Sequence, residues 1–226
     1  MIVITGASKG IGRYLFEEFK RRGECVVGTY HSTPVVAVEL FNVDITDNGQ
    51  IQSFVSSLPL SENSKITLIN CAGISYNSFA HKAEYSEWHK VIHVNLNGTF
   101  NVIRAFLPIM RANGYGRIIN FSSVVTQYPT LGVSAYACSK SALNALTKCL
   151  AYENSSKGIT VNSINLGYTN TGMGIYDVPM KYKNEIMQKI PLQRFCDPHE
   201  ILQLVDCIIS TEYLSGSIID LNGALI

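Results

Sequence analysis

Short runs rich in β-branched residues alternate along this chain with longer stretches whose apolar residues recur every three to four positions. Residues 2–5 read as a strand. Residues 11–22 follow as an amphipathic helix with Ile11, Leu15, Phe16 and Phe19 on one side. The same reading predicts strands over 25–30 and 35–43, a helix over 47–58 with Asp47 as its N-cap, and a short buried strand over 66–70. A long helical region with breaks runs from about 86 to 112, a strand covers 117–121, and a second long helix covers 134–156, ended by Lys157-Gly158. Strands over 160–164 and 216–221 close the series. Between these two lie an irregular stretch and a helix over about 198–210.

Strand and helix in alternation imply a mostly parallel sheet covered by helices on both faces. Right-handed crossovers leave a doubly wound Rossmann-type α/β fold of about seven strands as the simplest arrangement. No internal repeat, low-complexity tract or Pro/Gly/Ser-rich linker divides the 226 residues, so one domain over 1–226 is expected.

Composition narrows the function. Hydrophobic residues make up 46% and charged residues 15%, which excludes a disordered chain. A formal net charge of +1 supplies no field for nucleic acid or an anionic membrane. No targeting segment and no bilayer-spanning apolar run is visible, so a cytoplasmic protein is expected. The six cysteines show no metal-binding spacing and read as reduced thiols; no metal is expected. His81, His89, His93 and His199 lack metal spacing and a partnered nucleophile, and are assigned surface or structural roles. Trp88 and Tyr85 are assigned to packing.

The first candidate site is the turn Thr5-Gly6-Ala7-Ser8-Lys9-Gly10-Ile11-Gly12, between the first strand and first helix. Glycine lets the backbone approach a pyrophosphate closely, and the helix that follows aims its N-terminal amides at the anion. Its spacing, T-G-x-x-x-G-x-G, resembles that of the short-chain dehydrogenase/reductase (SDR) family. The resemblance extends over essentially the whole chain.

An acidic residue at the end of the second strand would favour NAD by bonding the ribose 2′-hydroxyl and repelling a 2′-phosphate. Here that position reads Gly28-Thr29-Tyr30-His31-Ser32, without Asp or Glu. In similar reductases a basic residue at the Lys9 position contacts the 2′-phosphate, and His31 and Ser32 can add hydrogen bonds. NADP(H) is therefore the expected cofactor. The resemblance further implies that Asp44, next to Ile45, meets the adenine amino group. It implies too that Asn70-Cys71-Ala72-Gly73 lies near the adenosine ribose, with Cys71 in place of the family's second Asn.

Tyr136-Ala137-Cys138-Ser139-Lys140 carries the second constellation. Spacing of four puts Tyr136 and Lys140 on one helix face. A free tyrosine, with a pKa of about 10, holds its proton too tightly to act as a base near neutrality; a fixed ammonium nearby lowers that value. This Y-x-x-x-K resembles the family's catalytic pair. The resemblance implies that Ser123 polarises the substrate carbonyl (Ser122 competes, but spacing favours Ser123), and that the backbone around Asn95 holds a water linked to Lys140. It also implies cofactor contacts from Gly167, Thr169 and Thr171, Thr171 at the nicotinamide carboxamide.

The expected reaction is hydride transfer between NADP(H) and a carbonyl or alcohol, with a 3-oxoacyl thioester as one candidate substrate. Two alternatives stand beside it. A non-catalytic NADP-binding regulator is disfavoured by the intact Asn95, Ser123, Tyr136 and Lys140. An extended-type epimerase or dehydratase is disfavoured by the spacing of Gly6, Gly10 and Gly12 and by the short C-terminus. A substrate lid is expected at about 172–195. Tyr76, Tyr128, Met173, Tyr176 and Met180 are open between pocket lining and lid packing. By family analogy the chain forms a homodimer or homotetramer through its two long helices. Only a few residues, around 32–35, separate the second and third strands, so the helix usual there is absent or reduced to a turn.

Overall fold

A computed structural model of the chain describes residues 1–32, 37–173 and 180–225, with Met180 and Lys181 as backbone only. Among the described residues seven strands form one sheet: β1 (Ile2–Thr5), β2 (Val26–Tyr30), β3 (Leu40–Asn42), β4 (Ile66–Asn70), β5 (Gly116–Ser123), β6 (Ile159–Leu166) and β7 (Ile218–Leu221). Their order is β3-β2-β1-β4-β5-β6-β7, and every neighbouring pair is parallel. The chain winds outward from β1 to β3, then returns to the far side of β1 as β4. Loops leaving β1 and β4 therefore diverge and open a crevice at the carboxyl ends of the strands.

The helices are α1 (Gly10–Arg21), α2 (Asn48–Ser57), α3 (Tyr85–Ile92), α4 (Thr99–Asn113), α5 (Ser134–Asn154), α6 (Met180–Lys189) and α7 (Pro198–Ser210). On one face of the sheet, Phe54 of α2, Ile103 and Phe106 of α4 and Leu150 of α5 pack on Val3, Leu68, Ile118 and Val161. On the other face, Leu15, Phe16 and Phe19 of α1 and Ile201, Leu202 and Val205 of α7 pack on Ile4, Ile69, Ile119 and Ile164. Alternate strand residues thus feed opposite cores, which is why β1 and β4 read as continuous apolar runs.

Local chemistry fixes the helix starts. Asp47 caps α2, its Oδ1 accepting from the amides of Gly49 at 2.8 Å and Gln50 at 3.2 Å. Asp197 and Glu200 form a reciprocal capping box at the start of α7.

Two expectations need correction. Only Leu40–Asn42 of the expected strand 35–43 pairs with β2, since 37–39 form a turn; residues 33–36 lie outside the described residues. The breaks expected within 86–112 take the form of a π-helical turn, His93–Gly98, that separates α3 from α4. The expected irregular stretch contains α6, whose mostly polar sequence sends Ile186 against a small cluster of Val124, Ile190 and Leu225.

Candidate active site

The glycine turn lies at the carboxyl end of β1, pressed against the β4 loop. Gly6 has φ +68°, and a Cβ at position 12 would collide with the Gly6 carbonyl oxygen and crowd Cys71. Side-chain-free positions bring the start of α1 close to the strand end, and Ser8 is buried beside them. Thr5 Oγ1 accepts from the Ala72 amide at 3.1 Å, tying the β1 and β4 loops together. Lys9 is the exposed N-cap residue of α1 and makes no side-chain cap, leaving its ammonium at the rim.

At the end of β2, His31 and Ser32 are exposed. His31 Nε2 lies 3.7 Å from Asp44 Oδ2. Burial pushes the Asp44 carboxyl up, but hydrogen bonds from the Thr46 amide at 2.8 Å and hydroxyl at 2.7 Å outweigh it, helped by His31 and His93. The net shift is downward. The side chain of neighbouring Ile45 turns into the core beneath Gly98, so this residue offers the crevice only its backbone.

At the end of β4, Asn70 Nδ2 donates to Asn120 Oδ1 at 2.9 Å, while its own Oδ1 is buried without a partner. Gly73 provides room for the next layer: a Cβ there would lie 3.2 Å from Asn95 Oδ1 and 3.7 Å from Lys140 Nζ. Asn95, fully buried in the π-helical turn, accepts from the Ile74 amide at 2.8 Å. It donates to the Ile74 carbonyl at 2.9 Å and to Ser139 Oγ at 3.1 Å. Ser139 in turn donates to the Tyr136 carbonyl at 2.7 Å. One asparagine thus couples the β4 loop to the first turn of α5.

The two serines ending β5 part company through strand alternation. Ser122 Oγ donates to the Lys140 carbonyl at 3.1 Å and so is committed to α5. Among the described residues Ser123 Oγ has a single long contact, from the Val125 amide at 3.4 Å. Lys140 is buried; its Nζ donates to the Phe121 carbonyl at 2.7 Å and sits 5.5 Å from the Tyr136 ring centroid. Burial lowers the Lys140 pKa from 10.5 to about 8, with Cys71 opposing the shift. Burial likewise pushes the Cys71 thiol well up.

Beyond β6, the Gly167 amide donates to the Leu221 carbonyl at 2.9 Å, and buried Thr169 donates to the Thr171 carbonyl at 3.0 Å. A Cβ on Gly10 would meet Gly172 Cα at 3.1 Å, so the loop after β6 rests on the glycine turn. Of the expected lid, 174–179 lie outside the described residues, as do Tyr176 and the Met180 side chain. Met173 is exposed, Tyr128 packs beside the Val124 cluster, and Tyr76 Oη accepts from the Glu84 amide at 3.1 Å. A groove of about 330 Å³ opens beside these elements, lined by Phe79, Val125, Pro129, Leu131, Val133 and Ala137.

The glycine cradle, the buried ammonium beside Gly73 and the absence of acid after β2 fit an anionic dinucleotide. Ser139 and the Phe121 carbonyl also shape the site and were not expected there. Ser139 carries no local signal beyond its place next to Lys140, and the Phe121 group is main chain. Tyr85, expected to pack, is 78% exposed, whereas Trp88 is half-buried and donates to Ser134 Oγ at 3.2 Å. Among the described residues no helix is long and apolar enough to cross a membrane.

Comparison with known proteins gives one direction. The short chain dehydrogenase family matches residues 1–181. Acetoacetyl-CoA reductase of Allochromatium vinosum is 32% identical, the match covering 99% of this chain and 97% of the relative. The 3-oxoacyl-(acyl-carrier-protein) reductase FabG of Thermotoga maritima is 31% identical over 99% of this chain and 96% of its own. FabG of Escherichia coli is 30% identical with the same coverage, 99% and 96%.

Proposed function

This chain belongs to the short chain dehydrogenase family and is an oxidoreductase acting at a carbonyl or alcohol with a nicotinamide cofactor; on that premise we propose that it reduces the 3-oxo group of an acyl thioester with NADPH. The observation that carries the proposal is the buried Lys140 ammonium, one helical turn from Tyr136 and hydrogen-bonded two residues before Ser123. Relatives whose names give a 3-oxoacyl thioester as substrate support the substrate class. The groove beside Ala137 and Val125 supports it too, since Phe79, Pro129, Leu131 and Val133 offer an acyl chain apolar contacts among the polar Ser78, Thr126, Gln127, Thr130 and Ser134.

Bound NADPH supplies the hydride. The chain's own residues handle the proton and the charge. Ser123 and Tyr136 donate hydrogen bonds to the carbonyl oxygen as negative charge gathers there. Tyr136 gives up its hydroxyl proton to that oxygen. The Lys140 ammonium stabilises the tyrosinate left behind and passes a proton back toward it. Asn95 fixes the β4 loop against α5 and leaves the backbone of the π-helical turn to hold the relay water.

Gly6, Ser8, Gly10, Ile11 and Gly12 would cradle the pyrophosphate; Lys9, His31 and Ser32 would receive the 2′-phosphate. Asp44 and the Ile45 backbone would meet the adenine. Asn70, Ala72 and Gly73 would line the ribose side, with Gly167, Thr169 and Thr171 toward the nicotinamide. We further assign a cytoplasmic homodimer or homotetramer joined through α4 and α5, whose outer faces expose Phe100 and Tyr152.

The test is NADPH oxidation with acetoacetyl-CoA beside simple ketones, aldehydes, quinones and sugars, for the wild-type chain and Tyr136→Phe. The thioester should be the best substrate, and Tyr136→Phe should lose about a thousandfold in kcat with NADPH binding retained. Preference for another carbonyl class overturns the substrate assignment, and near-normal turnover by Tyr136→Phe overturns the mechanism.

A further inference from the structure

Behind the reacting face lies a polar layer that none of the roles above uses. Its hub is Asn165 of β6, only 1% exposed. Asn165 Oδ1 accepts from Asn144 Nδ2 of α5 at 3.0 Å and from Thr126 Oγ1 at 3.4 Å. Asn165 Nδ2 donates to Asp220 Oδ1 of β7 at 3.0 Å. Around this hub, Asn144 Oδ1 accepts from Ser163 Oγ at 3.0 Å, and Asp220 Oδ2 accepts from Gln127 Nε2 at 3.3 Å. The layer follows from parallel register, which sets Asn165 between Ser122 of β5 and Asp220 of β7.

The layer reaches the catalytic strand at one point. Thr126 Oγ1 shares its single proton between the Ser123 carbonyl at 2.9 Å and, more weakly, Asn165 Oδ1 at 3.4 Å. Residues 124–126 form the 3-10 turn that carries the chain away from Ser123, and this turn is held at Thr126 and Gln127 by β6 and β7. Among the described residues the Ser123 hydroxyl has a single contact, 3.4 Å from the Val125 amide, to steady it. Its aim therefore follows the backbone of the turn, which Asn165 contacts through Thr126 and, by way of Asp220, through Gln127.

We propose that Asn165 is a positioning residue for the reaction, holding the turn after β5 so that the Ser123 hydroxyl faces the substrate oxygen. This rests on the reductase reading of Ser123 given above. The amide is suited to the task because it accepts on one side, from Asn144 and Thr126, while donating on the other, to Asp220. A carboxylate of the same shape keeps the first set and turns the second into repulsion between two acids.

The experiment is a swap of polarity. Asn165→Asp alone should lower kcat about tenfold or more, because small misplacements of a reacting group are costly. NADPH affinity, read by fluorescence titration without turnover, should stay within about twofold, since the cofactor crevice is not involved. Adding Asp220→Asn restores a donor facing the new carboxylate, and kcat should return to within roughly threefold of wild type. Unchanged kcat in Asn165→Asp overturns the proposal. So does a parallel loss of NADPH affinity, or failure of the double variant to recover. If Asn165→Asp does not fold, Thr126→Val breaks the same tie at the partly exposed end; kcat should fall about tenfold with NADPH affinity kept, and an unchanged kcat overturns the proposal. Ser123→Ala separates the two readings. If it retains wild-type kcat, the role of Ser123 fails and the proposal with it; if it loses turnover while the Asn165 and Thr126 variants keep theirs, the positioning role alone fails.

Discussion

The Lys140 ammonium donates a 2.7 Å hydrogen bond to the main-chain oxygen of Phe121. A buried ammonium needs partners, and this carbonyl gives it one that no side-chain substitution removes. The bond also ties α5, which carries Tyr136, to β5, which ends at Ser123.

Lys140 gives a pH signature. Burial lowers its pKa from 10.5 to about 8. Between those values the unfolded chain holds the extra proton, so this group's contribution to stability rises with pH across the window; below about pH 8 its burial costs stability in full. Lys140→Met should lose about a hundredfold or more in kcat. Denaturant unfolding at pH 7.5 and 9.5 should show the wild type gaining on the variant at the higher pH. A constant difference would contradict the assigned shift.

Gly12→Ala should fail for a steric reason. The added methyl meets the Gly6 carbonyl, and neither backbone can retreat without opening the turn. Overpacking of this kind costs about 1–3 kcal/mol. Thermal unfolding should register that loss, and isothermal titration should show NADPH affinity falling at least about tenfold, because the turn can no longer approach the pyrophosphate.

Cofactor choice should move with two exposed residues. Lys9→Ala removes a cation suited to the 2′-phosphate and should weaken NADPH about tenfold while leaving NADH near its starting affinity. His31→Asp places an acid at the end of β2, where it repels the 2′-phosphate and bonds the free hydroxyl instead. The pair together should reverse the ratio of the two dissociation constants, measured by fluorescence titration.

Asp197→Ala tests the start of α7. Asp197 Oδ1 accepts from the His199 amide at 2.8 Å, and Glu200 returns a bond to the Asp197 amide at 2.8 Å. Losing the cap should cost about 1 kcal/mol. Urea unfolding should show a lower midpoint with an unchanged slope.

Legibility in the sequence followed locality. Asp197, Pro198 and Glu200 announce α7 within four residues, and its expected bounds 198–210 match the structure. Tyr136 and Lys140 declare themselves by one turn of spacing. The helix α6 was hidden because few apolar residues break its polar sequence, leaving no period to read. The run 35–43 has the β-branched content of a long strand, yet among its described residues only Leu40–Asn42 pair with β2. The Asn144–Asn165–Asp220 layer had no local signal at all: three elements contribute to it, and only their register brings the side chains together.

Because all seven strands run the same way, the molecule has two unlike rims. One carries Thr5, His31, Asn70, Ser123 and Gly167, where a changed loop changes chemistry. The other carries the connections around Gly23, residues 59–65, Gly114 and Gly158, none of which approaches the crevice. There the chain can be lengthened, tagged or recut with little consequence for turnover. At Gly158, however, the latitude is limited: a side chain would strike the Gly114 carbonyl. For engineering or for descent with modification, stability and specificity can thus be altered from opposite ends of the same sheet.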